Sequence, residues 1–487
     1  MRTQIPEMTD CQQAGDQDRG RRGGIPLAAA TIATVSMTAP TTASAHATGQ
    51  SFIALLPTGP YMAIGVATVA LSIMLLWFLP PRAATALLPS RGFGRIAAPA
   101  GARVICSFVM FLLLCGGIAA GLNGTRDPLE NPLVLGFWVA FWMASPMVQG
   151  YLFDLWGWIS PWRWAVRPMA GLIARPPLQL PRRAGVWPAA ILLLGFSAFT
   201  LADPAPDDPA RLAGVIAAYA ALTFAGMALT GPRRWLRQVE FLSVLMAQFS
   251  RLAPLARRGR RVQAGWPGWR LATGAAAVPG TPVFILVLLG TGSFDGFNET
   301  FVWLDLIGVN PLAFPGRSAV VVPVMAGLLG ANILLVCLFT LMITAGDRMV
   351  GGVRGIGQLL TRFAPTILPI ALAYHMAHYL PSLLVDGQYV LVALNDPFGR
   401  SANLLGLADF YVTTGFFNHR ETMRVIWLSQ AAFIVFGHVI AVVLAHGAAM
   451  TLYGDVARAF RAGLPLAVFM VLYTWLGLWL LAAPKGG

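Results

Sequence analysis

Histidine is scarce in this chain, with six in 487 residues, and four of the six fall in two apolar stretches. One stretch reads Tyr374-His375-Met-Ala-His378-Tyr379, and the other runs from Gly437-His438 to His446. Neutral imidazole is a common ligand for zinc, copper, iron and nickel, and it is also the side chain that most readily exchanges a proton near neutral pH. Ionisable side chains inside a bilayer are costly and usually functional. Four chemistries fit these residues: a metal site, a proton or ion relay, haem ligation, and hydrogen bonding between helices. Haem fits poorly, because spacings of three and eight along one helix do not set two axial ligands on opposite faces of a macrocycle.

These histidines lie in a membrane protein. Hydrophobic residues make up 57% of the chain and charged residues 11%, and the mean hydropathy is +0.67. Apolar runs of about 20 residues recur along its length, enough to cross a bilayer each time. The expected fold is an all-α polytopic transmembrane bundle with about ten spans after a cleavable N-terminal signal. Residues 1–47 resemble that signal, with Arg19, Arg21 and Arg22 ahead of a short apolar run and Ala43-Ser44-Ala45 at the cleavage position. Residues 48–487 then form one transmembrane domain. Its spans are expected near 59–80, 102–122, 133–156, 184–202, 211–230, 271–293, 318–346, 364–384, 424–449 and 463–483.

The net charge of +14 comes almost wholly from arginine, Lys485 being the one lysine. The connections on one side of the expected bundle hold 22 arginines, and those on the other hold only a few. That alternation is a topology signal rather than a nucleic-acid footprint, so no nucleic-acid partner is expected. It predicts a bacterial inner (cytoplasmic) membrane protein with its mature N-terminus in the periplasm and the lipid bilayer as its partner. Within the arginine-rich connection, Arg233–Phe249 has helical apolar spacing and is expected to lie flat on the anionic leaflet. The Trp156, Trp158, Trp162 and Trp164 segment reads as an interfacial aromatic belt, with Asp154 near Arg163 or Arg167. The four cysteines form no CxxC motif and read as small buried hydrophobes.

Counting residues along the spans places His375 and His438 at the same depth, roughly 16 Å from the inner side, with His378 on the face of His375. His446 lies roughly 12 Å nearer the cytoplasm, which makes it a doubtful fourth ligand. The metal-site expectation is therefore a divalent transition metal held by His375, His378 and His438. Tyr374, Tyr379 and Asp386 would support those ligands by hydrogen bonding. Asp305 is the other acid considered near the outer face. Pro365, Pro369 and Pro381 are expected to bend the span that carries His375. Zincin helices, GxSxG elbows, Walker loops and GxGxxG turns are absent.

Several motifs together resemble one family: Asp154-Leu-Trp with Ser160-Pro-Trp-Arg163, Ser293-Phe-Asp-Gly through Trp303-Leu-Asp-Leu-Ile-Gly-Val-Asn-Pro-Leu, Phe314-Pro-Gly-Arg317, and Tyr374-His-Met-Ala-His-Tyr. They are similar to a group of bacterial multi-pass membrane proteins that carry the name fenitrothion hydrolase. The resemblance implies metal-assisted hydrolysis of an organophosphorus triester, a small apolar substrate that partitions into lipid. It supplies no catalytic motif to carry over residue by residue. A transporter or a metal or proton permease built on the same histidines is the competing expectation, and a non-catalytic membrane assembly subunit is the third.

Overall fold

A computed structural model describes residues 56–78, 90–95, 101–173, 175–258, 261–272, 278–396, 403–407 and 410–485. All lie within the compact unit that spans Ala45–Gly487. The expected signal at 1–47, with Cys11 and His46, falls outside the described residues.

Long apolar runs fold as helices because a helix satisfies every backbone N–H and C=O within the segment, as lipid requires. The principal helices are α1 (Thr58–Phe78), α2 (Ala102–Asn123), α3 (Pro132–Tyr151), α4 (Trp187–Ala202) and α5 (Pro209–Thr230). Two short helices follow, α6 (Pro232–Gln238) and α7 (Phe241–Phe249). Then come α8 (Thr281–Asn298), α9 (Phe301–Leu306), α10 (Val321–Met349), α11 (Ile356–Asn395), α12 (Arg420–Tyr453) and α13 (Val456–Ala482). The protein is an all-α helical membrane bundle, and eight of these helices are long and apolar enough to cross a bilayer.

The two expected spans that miss that standard are α4 and α8. α4 has 16 residues, roughly 24 Å against a hydrocarbon core of about 30 Å. α8 is polar in its second half, where Thr291, Ser293, Asp295 and Asn298 replace aliphatic residues. Large apolar side chains stay exposed around the bundle, including Leu71 and Leu75 on α1, Leu112 and Leu113 on α2, Ile333 and Leu334 on α10, and Leu472 on α13. Such a surface belongs against acyl chains. Cys106, Cys115 and Cys337 are free and exposed on the same kind of surface, so they are not the buried residues expected.

Lipid tails are as apolar as leucine, so helices in a bilayer associate through close approach at small residues. α11 and α12 show this at Gly437, where an added Cβ would collide with the Ala373 side chain and stand 2.8 Å from the Pro369 carbonyl oxygen. Pro369 and Pro365 have no N–H to donate, and the backbone there tightens to a 3-10 turn over Ala364–Ile367. Pro381 lies inside α11, and the helix runs past the expected end of this span at 384. α11 continues to Asn395, which shortens the connection to α12.

Three further segments depart from expectation. The Arg233–Phe249 stretch is two helices rather than one; Arg233, Arg234 and Arg237 of α6 are exposed, but α7 is not a surface helix. Phe241, Leu242, Val244, Leu245, Met246 and Phe249 of α7 are all buried, and Phe241 packs its ring on Phe196 of α4 and Tyr219 of α5. Tyr219 is the eleventh of the 22 residues of α5, and its hydroxyl donates to the Glu240 carboxylate between α6 and α7. α6 and α7 thus form a re-entrant hairpin whose tip reaches about half the height of α5. In the tryptophan segment, Trp156 and Trp162 are buried, and the Trp156 indole donates to Ser243 of α7 at 2.9 Å. Asp154 holds the Gln149 amide at 3.0 Å and the Gly157 N–H at 3.2 Å rather than Arg163 or Arg167. Finally, part of the arginine-rich connection is sheet. β1 (Ser90–Arg95), β2 (Leu255–Arg258) and β3 (Arg261–Gly265) pair antiparallel in the order β1-β3-β2, with Ser90 opposite Gly265 and Leu255 opposite Ala264.

The aromatic and acidic stretch after α8 folds onto the bundle. Trp303 and Leu304 of α9 join Phe294, Val324 and Leu328 in one buried cluster. Lys485 pairs with Glu299 at 3.0 Å and pins the end of α13 beside it.

Candidate functional site

The site forms where α3, α4, α8 and α11 surround a cavity of about 50 Å³, with α7 supplying Leu245 and Phe249 to its wall. His375, His378 and Tyr379 of α11, Trp142 of α3, and Thr291, Gly292 and Asp295 of α8 also face it.

Asp295 is the centre of the arrangement. The expected end of this span lies at 293, but α8 runs on to Asn298, so Asp295 points into the bundle instead of standing in a loop. Its Oδ2 lies 3.1 Å from Nε2 of His378 and 3.3 Å from the Tyr379 hydroxyl. That hydroxyl in turn lies 3.0 Å from the indole Nε1 of Trp142. Hydrogen-bond roles follow from the donor inventory. Indole N–H only donates, so Tyr379 accepts from Trp142 and gives its own proton to Asp295. His378 is the second donor to the same oxygen. Two donors on one carboxylate oxygen describe an ionised carboxylate, and a proton arriving on Oδ2 must displace one of them. The pair is not sealed: the His378 and Asp295 side chains are 14% and 18% exposed.

His375 is held differently. Its Nε2 lies 3.2 Å from the Met143 carbonyl oxygen, to which it donates. Residues Leu135–Ala144 of α3 are π-helical, and Pro146 just beyond has no N–H to offer the preceding turn. Backbone acceptors are therefore free where α3 meets α11. The His375 ring stands edge-on to Trp142 at 5.8 Å and to Tyr379 at 4.8 Å.

Tyr374 closes the cavity on another side. Its ring stacks on His378 at 5.8 Å with the planes 16° apart. It lies across Gly292 and Gly296, one turn apart on α8, and a Cβ on Gly296 would occupy the position of the Tyr374 hydroxyl. Gly296→Ala is accordingly expected to push Tyr374 off His378 and lower the thermal unfolding midpoint, whereas Gly387→Ala, which meets open space inside a helix, is expected to hold or slightly raise it. Thermal scanning of the two variants in detergent checks this.

His438 belongs to a second, smaller cavity of about 10 Å³, with Ser293, Ile370, Tyr374 and Tyr473 among its walls. His446 faces a third, of about 50 Å³ and otherwise apolar apart from Gly463. The expected set His375, His378 and His438 is thus divided. Among the described residues no three histidine, cysteine, aspartate or glutamate side chains stand close enough to hold a metal ion. Tyr374 and His375 are adjacent in sequence and so about 100° apart on α11, which turns one towards His438 and the other towards Trp142. Asp386 lies seven residues, roughly 10 Å, beyond Tyr379 on α11 and does not line the cavity. Asp305 is exposed on α9. Asp295 was missed because the expected span stops at 293, two residues short of it. The absence of any proline between Pro282 and Pro311 is the signal that the helix continues.

Comparison with protein-family models, with curated proteins and with solved structures finds no match.

Proposed function

We propose that this protein is a proton-handling carrier of the bacterial inner membrane, loaded and unloaded at the Asp295–His378 pair. The observation that carries the reading is the double donation to Asp295 Oδ2 by His378 and Tyr379 beside a cavity large enough for a few water molecules. A carboxylate inside a bundle needs partners that compensate its desolvation, and protonation releases one of them. Each protonation state therefore favours a different arrangement of α8 against α11, which is the requirement for coupling a proton to movement. The orientation that belongs with this reading, taken from the arginine distribution, puts the mature N-terminus and the α11–α12 connection in the periplasm. An alkaline-phosphatase fusion at Asn403 is expected to be active, and an inactive fusion would reverse the orientation.

Phosphotriester hydrolysis, implied by the fenitrothion hydrolase resemblance, makes a different demand. Sites for drug-sized molecules are cavities of about 300 Å³ or more, so the bundle would have to open to admit such a substrate. A divalent metal would also have to take His378 from Asp295.

The test is reconstitution into vesicles with a pH dye inside and an imposed potential. Flux above protein-free vesicles, lost in Asp295→Asn, is the expected outcome. Wild-type flux equal to that of empty vesicles defeats the reading. Release of nitrophenol from fenitrothion, with metal content that falls in His375→Ala plus His378→Ala, would favour the hydrolase instead.

A further inference from the structure

Nδ1 of His438 lies 2.8 Å from the carbonyl oxygen of Ile434, one turn back on α12. A carbonyl can only accept, so Nδ1 carries the proton, and Nε2 of the neutral ring holds a lone pair. The side chain is 1% exposed, and Nε2 has no hydrogen-bond partner within the chain. A buried polar atom without a partner is destabilising, and such atoms normally receive one from protein or ordered water. His438 faces the small cavity, whose other polar walls are Ser293, Tyr374 and Tyr473, the first and last sharing a hydrogen bond at 2.6 Å. A volume of about 10 Å³ is that of one water molecule.

Tyr374 lines this cavity and also the larger one that holds Asp295 and His378. Eight residues farther along α12, roughly 12 Å, His446 also has a buried Nε2 without a partner and lines the third cavity. Imidazoles are thus spaced through the bundle, one cavity after another. Tyr374 and Tyr473 are the other titratable groups facing His438 from α11 and α13. Ser293 is the polar group facing it from α8, and no aspartate, glutamate, lysine or arginine lines the cavity.

We propose that the His438 cavity is a second proton-binding station, in which one water molecule joins Nε2 to the Ser293–Tyr473 hydroxyl pair, and that Tyr374 is the gate between it and the Asp295–His378 pair. The proton enters and leaves at Nε2 while Nδ1–H stays on Ile434, so each cycle passes neutral ring to imidazolium and back with one proton taken and one released. The gating role of Tyr374 rests on the carrier reading, but occupancy of the station does not.

Two measurements separate them. The first is magic-angle-spinning NMR of the full chain, labelled with ¹⁵N-histidine and held in bilayers, with His438 assigned from the His438→Gln difference spectrum. Magnetisation transfer from water to Nε2, reversible protonation at that atom, and loss of both in Tyr473→Phe are expected. A His438 Nε2 that never contacts water, or never gains a proton while the protein stays folded, overturns the station whatever the flux result. The second is vesicle flux for His438→Gln and Tyr374→Phe, each first shown to elute as the wild type does. A fall of about tenfold or more is expected in both, the Phe variant keeping the ring that stacks on His378. Wild-type rates in both variants, with flux still lost in Asp295→Asn, would overturn the station and leave the carrier reading intact. A wild type without flux whose His438 exchanges protons with water would sink the carrier and uphold the station.

Discussion

Asparagine at position 295 will stop proton flux and leave the bundle folded. The carboxamide has nearly the shape of the carboxylate, and its oxygen can still accept from Tyr379 or from His378. It can neither ionise nor carry a proton, so the exchange on which loading depends is lost. Alanine at the same position is a harsher change, because it strands the Tyr379 hydroxyl and the His378 Nε2 that now meet at Oδ2. Removing one partner of a fully buried ion pair costs about 3–5 kcal/mol. The 14% and 18% exposure of this pair admits some solvent, so a loss of about 1–3 kcal/mol is expected for Asp295→Ala. A double-mutant cycle with His378→Asn should return a coupling of about 1 kcal/mol or more, since the two side chains share one hydrogen bond. Asp305→Asn is the internal control. Asp305 is exposed on α9 and should change neither flux nor stability. Loss of flux in Asp305→Asn, or full flux in Asp295→Asn, would move the site away from Asp295.

The contrast between those two aspartates shows what the sequence can and cannot reveal here. The spans were legible because about 20 apolar residues in a row have few other uses, and the helices fall where those runs lie. His375 and His378 were legible as a pair on one face, since a spacing of three leaves little choice. Asp295 was hidden because the expected span stops at 293, whereas α8 runs to Asn298. Gly292 and Gly296 are there because Tyr374 lies against them, a reason that exists only once α8 and α11 are docked. His438 was placed at the depth of His375 by counting residues, but depth says nothing about the rotation of a helix about its axis. That rotation, fixed by the contact of Gly437 with Ala373 and Pro369, sets His438 on the far side of Tyr374. The re-entrant hairpin is the clearest case. The apolar face of α7 repeats with helical period, and the same period suits a leaflet surface or a protein interior equally well. Glu240 distinguishes the two, because a carboxylate with Tyr219 and two helix N–H groups for partners can be buried.

Glu240→Ala is therefore expected to be strongly destabilising although it lies outside the candidate site. The Glu240 side chain is fully buried and caps α7, accepting from the N–H of Leu242 at 3.1 Å and of Ser243 at 2.7 Å, and from the Tyr219 hydroxyl. Alanine removes the cap, which costs about 1 kcal/mol, and leaves a buried tyrosine hydroxyl without an acceptor, which costs about 1–3 kcal/mol more. Glutamine restores one oxygen but presents an NH₂ group to donors that also need an acceptor, so Glu240→Gln should fall between wild type and Glu240→Ala. Tyr219→Phe leaves the carboxylate its two N–H partners and should be milder than either. The order Tyr219→Phe, Glu240→Gln, Glu240→Ala in falling unfolding midpoint is read by thermal scanning in detergent. A surface helix would give no such order, because exposed carboxylates are satisfied by water. The consequence reaches the cavity, since α7 carries Leu245 and Phe249 into its wall and the Gln149 amide holds the Met246 carbonyl at 2.7 Å. A loosened hairpin opens the chamber around Asp295 to water. Glu240→Ala should then leak protons without an imposed gradient of any other solute, and a tight vesicle with this variant inside would show that the hairpin does not seal the site.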